Sequence, residues 1–177
     1  LPTIGSKELV AWLPTLLGLG AGDVVVHPEI AYPTYDVGAR LAGASGRAVD
    51  GVTALGPERL DLLWLNSPSN PTGKVLPPEH LRKVVDWARE RGTVVASDEC
   101  YAELSWGPDV PSILDPEVCG DSHEGLLAVY SLAAWVCDGG PRLWLHLVSA
   151  ACLLVAVGNK VLAWRQWRTV GGWPTPT

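Results

Sequence analysis

Four short apolar runs, Asp23-Val24-Val25-Val26-His27, Leu62-Leu63-Trp64-Leu65-Asn66, Thr93 to Asp98 and Gly125 to Tyr130, alternate with stretches of helical spacing, and this alternation restricts the chain to βαβ units. The first run is β-branched and closed by Pro28, which suits a strand buried on both faces. The expected fold is therefore α/β, a three-layer α/β/α arrangement around a mainly parallel sheet with right-handed crossovers. Leu9, Val10, Leu13, Leu16 and Leu17 have the spacing of a helix over 7–19 that Pro14 should kink or split, with Gly18, Gly20 and Gly22 ending it. A second helix is expected over 33–44. A third runs from Pro77 to Arg91, with Leu81, Val84, Val85 and Ala88 on one face and Gly92 at its end. Ligands of such sheets collect at the carboxyl ends of the strands, where Asn70, Asp98 and Ser131 fall.

A chain of 177 residues with 47% hydrophobic content is long enough for one domain with a real core. Its formal net charge of -6 and lack of a basic, aromatic-interleaved stripe before the tail exclude nucleic acid as an expected partner. Cys100, Cys119, Cys137 and Cys152 form no CxxC pair, and His27, His80, His123 and His146 have no ligand spacing, so neither zinc nor a disulfide framework is signalled. A reduced, cytoplasmic setting follows. The opening Leu1-Pro2-Thr3-Ile4-Gly5 lacks an initiator Met and a signal-peptide pattern, and reads as the middle of a longer protein.

Beyond Leu132 the composition changes. Of the 19 acidic residues only Asp138 lies there, against Trp135, Trp144, Trp164, Trp167 and Trp173 among the 9 tryptophans, so 133–177 reads as a divergent tail. Its apolar stretch from Leu143 to Gly158 is shorter than the ~20 residues of a membrane-spanning helix, and no membrane anchor is expected.

Four segments carry chemistry. Gly5-Ser6-Lys7 opens the first helix, where unpartnered backbone N–H groups and the helix dipole favour a phosphate, although serine there is more often a plain cap. Ala31-Tyr32-Pro33-Thr34-Tyr35 offers a flat ring at Tyr32, which could equally be a core tyrosine. Asn70-Pro71-Thr72-Gly73, inside a Ser67-Pro68-Ser69 lead-in, is a tight turn that presents the Asn70 amide rigidly. Asp98 closes a strand, a place for a carboxylate that caps a helix or meets a cation, and Tyr101 follows three residues later.

Taken together, and with Ser131-Leu132-Ala133-Ala134 after the last strand, these segments resemble the large domain of the class I and II aminotransferases of fold type I, most closely the succinyldiaminopimelate transaminases, over 1–132. The resemblance implies a partial large domain that binds pyridoxal 5'-phosphate. Gly5, Ser6 and Lys7 with Ser131 would hold the phosphate, Tyr32 would face the ring, and Asn70 and Tyr101 would meet its phenolic oxygen. Asp98 would meet the ring nitrogen and keep the pyridinium an electron sink.

Ala133 and Ala134 stand where the family's pattern has serine and lysine. That lysine tethers the cofactor and moves a proton, so Ala134 deletes nucleophile and general base together, and no catalytic residue is assigned. Lys74 and Lys83 read as surface lysines and Lys160 as a solvated tail lysine. The function implied is amino transfer between glutamate and a keto acid, within lysine biosynthesis, by a family homodimer, with this chain itself inactive. Two other readings stay open: a non-catalytic module that holds pyridoxal phosphate or pyridoxamine phosphate, and a fragment of an interrupted gene that does not fold stably.

Overall fold

The computed structural model describes residues 5–56, 58–104 and 109–131. The expectations for Ala133, Ala134 and the tail 133–177 lie outside these residues.

Five parallel strands form one sheet: β1 (Val24–His27), β2 (Ser45–Ala48), β3 (Leu62–Asn66), β4 (Val94–Asp98) and β5 (Leu126–Val129), in the order β2-β1-β3-β4-β5. Helices α1 (Ser6–Leu16) and α2 (Thr34–Ala42) cover one face, and α3 (Pro78–Arg91) with the short α4 (Pro116–Cys119) covers the other. The period of two along each strand divides the core accordingly. Val25, Leu62, Trp64 and Ala96 pack under α1 and α2 with Val10, Leu13, Tyr35 and Ala39. Val26, Leu63, Leu65 and Val95 pack under α3 with Leu81, Val84, Val85 and Ala88. Every residue of β3 is buried, so each of its large apolar side chains contributes about 1.5–3 kcal/mol through removal from water. The three-layer α/β/α expectation holds, and every strand pair is parallel. Among the described residues no helix is long and apolar enough to cross a membrane.

Three local features differ from expectation. Pro14 does not split α1, because it stands two residues before the helix ends, and the Leu17 amide still donates to the Leu13 carbonyl at 2.9 Å. The carbonyl that Pro14 leaves without its intrahelical donor is that of Val10. It faces Gly38 of α2, where a Cβ would stand 3.0 Å from the Val10 oxygen and 2.9 Å from that of Ala11. Strand β2, Ser-Gly-Arg-Ala, carries no apolar or β-branched signature and exists because the edge of β1 pairs it residue for residue from Val24↔Ser45 to His27↔Ala48. Helix α4 is a single turn, too short to leave a period in the sequence.

Candidate functional site

Strands β3 and β4 end in register, Asn66 opposite Asp98, which puts both side chains on the α1/α2 side at the carboxyl edge of the sheet. There a cavity of about 180 Å³ is lined by Ser6, Lys7, Val10, Tyr32, Tyr35, Asn66, Asn70, Asp98, Cys100 and Tyr101. Six of the candidates drawn from sequence, Ser6, Lys7, Tyr32, Asn70, Asp98 and Tyr101, meet around this one space. Gly5 stands at the N-cap of α1 beside them, and Ser131 lies two residues beyond β5, whose Val129 is opposite Asp98; neither lines the cavity.

Asp98 is 6% exposed, and a carboxylate so buried must be hydrogen-bonded. Its Oδ2 accepts from the Tyr35 hydroxyl at 2.8 Å and its Oδ1 from the Cys100 backbone amide at 3.3 Å. Tyr35, 1% exposed, also leans on Trp64 with ring centroids 5.0 Å apart, so its hydroxyl has one placement. In sequence Tyr35 only closes the segment that carries Tyr32, with no separate role assigned to it. Its partnership with Asp98 spans 63 positions of sequence, and no local spacing points to it.

Asn70 is held from below by Asn66, a residue the motif analysis passed over. The Asn66 Oδ1 accepts the Asn70 amide at 2.7 Å, and its Nδ2 donates to the carbonyls of Asp98 at 2.9 Å and Pro68 at 3.1 Å. Gly73, at φ 68°, closes the turn in the left-handed region, and its amide reaches the Ser69 carbonyl at 2.7 Å. So fixed, the Asn70 Nδ2 meets the Tyr101 hydroxyl at 3.3 Å, which makes a paired amide and phenol at the mouth of the cavity. Lys7 Nζ stands 6.0 Å from the centroid of the Tyr32 ring, within cation-π reach.

Burial, and after it the Asp98 carboxylate, pushes the Tyr35 phenol far above the usual tyrosine range, and the same causes push the Cys100 thiol up to about 12. In the unfolded chain these groups ionise near pH 8.5 for the thiol and about 10 for the phenol. Below about pH 8 both states hold the same protons, and the contribution to stability is intact. As pH rises further the unfolded state holds fewer protons than the folded one, and stability falls, by about 1.4 kcal/mol per pH unit for a group as buried as Tyr35. The urea midpoint of the full chain is therefore expected to be flat from about pH 7 to 8 and to drop above about 9, with Tyr35→Phe flattening the part beyond about 10. A midpoint that holds steady to about pH 11 would contradict this placement of Tyr35.

A larger cavity, about 320 Å³, opens on the α3 side and is lined among others by Ile30, Val52, Leu55 and Leu76 with Asp50, Lys74 and His80. Of the residues that line the smaller cavity it shares only Asn66, and size does not make it the site. The convergent polar groups are in the smaller one.

That group of side chains suits a flat, phosphorylated heterocycle: a buried carboxylate for a protonated ring nitrogen, an amide and phenol for a ring oxygen, an aromatic face and a helix N-terminus. Residues 1–134 match the model of the family described as aminotransferase class I and II. The Mycobacterium tuberculosis protein named "Probable aminotransferase Rv1178" is 64% identical over 133 residues, which are 75% of this chain and 32% of that one. The 4-dedimethylamino-4-oxo-anhydrotetracycline transaminase OxyQ of Streptomyces rimosus is 54% identical over 152 residues, covering 81% of this chain and 42% of that one. A solved structure from Thermus thermophilus, described as a "probable N-succinyldiaminopimelate aminotransferase", superposes with a TM-score of 0.65 at 30% identity over 73% of this chain and 37% of its own. The chain thus spans well under half the length of these relatives.

Proposed function

The chain belongs to the class I and II aminotransferases, an enzyme family whose members use pyridoxal 5'-phosphate, and from this premise we propose that it is the cofactor-holding part of a transaminase that moves an amino group between glutamate and a keto acid. The observation that carries the reading is the buried Asp98 carboxylate, aimed by Tyr35 into the same cavity that the Asn70–Tyr101 pair faces. Asp98 accepts the ring N–H. Asn70 and Tyr101 hold the phenolic oxygen, Tyr32 covers one ring face, and Ser6 with the first amides of α1 takes the phosphate; Gly5, Lys7 and Ser131 flank that end. When bound, the cofactor supplies an electron sink for loss of a proton beside the amino group.

The acceptor we propose is a keto acid of the succinyldiaminopimelate route, in lysine biosynthesis, and the intact protein is proposed to act as a homodimer in the cytoplasm. With Ala134 where the family's lysine stands, this chain has no amine at that position to take and return the proton, so it binds without turnover.

Titrating the full chain with pyridoxal phosphate is expected to change the cofactor's near-ultraviolet absorbance, and Asp98→Ala to weaken binding by at least about tenfold, the scale of one charge-assisted hydrogen bond. Adding glutamate should give no conversion to the pyridoxamine form. Binding that is absent, or indifferent to Asp98→Ala, would remove the reading.

A further inference from the structure

One of the residues that line the cavity is an exposed lysine, Lys7. Of the three described lysines, Lys74 lines the larger cavity on the opposite face of the sheet and Lys83 lies exposed on α3. Only Lys7 lines the space shared by Tyr32, Asn70, Asp98 and Tyr101. Its Nζ extends over the Tyr32 ring, and among the described residues no carboxylate is ion-paired with it.

The connectivity of pyridoxal phosphate adds a second constraint. The ring carbon that bears the aldehyde lies between the carbon that bears the phenolic oxygen and the carbon that bears the phosphate arm. A cofactor held with its oxygen at Asn70 and Tyr101 and its phosphate at Ser6 would carry its aldehyde between those two groups. Lys7 directly follows Ser6 in sequence and lines the same cavity.

We propose that Lys7 is a covalent attachment site for pyridoxal phosphate in this chain, an aldehyde-capturing amine at the opposite end of the sequence from the position that the family's lysine occupies. The inference rests on the reading of this cavity as the cofactor site. The neutral Nζ attacks the aldehyde carbon, a carbon–nitrogen bond forms, and the carbonyl oxygen leaves with two protons as water, so the link is a condensation that needs no oxidant or reductant. A bound aldehyde beside one amine has a high effective concentration there, and this favours Lys7 over lysines met only by collision.

The test uses the full chain and two ligands. Pyridoxine 5'-phosphate, which carries an alcohol in place of the aldehyde, reports on the cavity alone through tryptophan or ligand fluorescence. Pyridoxal phosphate followed by borohydride, which reduces the link to a stable secondary amine, reports on the tether through peptide mapping. The expected result is label on Lys7 exceeding that on Lys74 or Lys83 by about tenfold or more at limiting ligand, suppressed by excess pyridoxine phosphate. Lys7→Arg should remove most of the label, and Lys83→Arg should leave it unchanged. Binding of pyridoxine phosphate together with label spread evenly over the lysines, or not suppressed by it, would overturn the tether and leave the cavity reading standing. Failure of pyridoxine phosphate to bind would remove both.

Discussion

Asn66→Ala is expected to lower the unfolding free energy of the full chain by about 2 kcal/mol and to weaken binding of pyridoxine phosphate by about tenfold, although Asn66 is not among the residues proposed to hold the cofactor. The side chain is 5% exposed and makes three hydrogen bonds, two from its amide nitrogen to the Asp98 and Pro68 carbonyls and one from the Asn70 amide to its oxygen. Two carbonyls on one side and an N–H on the other fix which end of the amide is which. Removing it does not orphan the Asp98 carbonyl, which still accepts from the Ser67 amide at 3.2 Å. It does strip the Asn70 amide of its partner and lets the turn that aims the Asn70 side chain move. Net hydrogen-bond contributions of about 0.5–1.5 kcal/mol, with an extra penalty for a part-buried unsatisfied amide, give the stated loss.

Asn66→Asp separates the two duties. It keeps an acceptor for the Asn70 amide but sets a carboxylate oxygen against two carbonyls, so it should be at least as destabilising while preserving the turn. Urea unfolding followed by circular dichroism measures the first effect and ligand fluorescence the second. An Asn66→Ala chain that binds pyridoxine phosphate as the parent does would show that the Asn70 turn is rigid on its own.

The contrast between Asn66 and Asn70 shows what a sequence discloses and what it hides. The strands β1, β3, β4 and β5, the helix α3 and the parallel class were legible because burial on two faces and a 3.6-residue period leave marks in composition. Asn70, Asp98 and Tyr101 were legible because turn chemistry and fixed spacing are local. Asn66 and Tyr35 act across 32 and 63 positions of sequence on Asp98, and no local pattern announces such a partner. At the end of an apolar strand Asn66 reads as a place where the strand stops. In the structure it also joins the strand to the site. Strand β2 was invisible for the opposite reason: a four-residue edge strand of Ser, Gly, Arg and Ala takes its conformation wholly from its neighbour β1. The same local reading made Pro14 a helix breaker, because spacing alone does not disclose that α1 ends two residues later.

The close approach of α2 to α1 leads to the other large expected effect. Gly38→Ala should destabilise the chain by about 1–2 kcal/mol, against the rule that alanine replacing glycine inside a helix is stabilising by roughly 0.8–1.0 kcal/mol. The propensity gain is real for α2, but the new Cβ would stand 2.9 Å from the Ala11 oxygen, 3.0 Å from the Val10 oxygen and 3.2 Å from the Ala11 Cα, all backbone atoms with no rotamer to change. The only relief is for α1 to move away as a body. Its outer side allows this, since Trp12 and Leu16 are exposed, but its inner side does not, since Val10 and Leu13 are buried against β1, β3 and Tyr35. Overpacking of this kind costs about 1–3 kcal/mol, and partial withdrawal of two buried side chains adds to it, so the steric term exceeds the propensity term. The displacement also has a functional direction. Ser6 and Lys7 ride on the first turn of α1, so the movement that relieves Gly38→Ala draws both away from the cavity. Borohydride-trapped label on Lys7 and pyridoxine phosphate affinity should fall together with stability, whereas a destabilising change on the α3 face, Val84→Ala, should lower stability and leave both readouts in place while the chain is folded. A Gly38→Ala chain of equal or greater stability would mean that α1 and α2 have slack at this crossing.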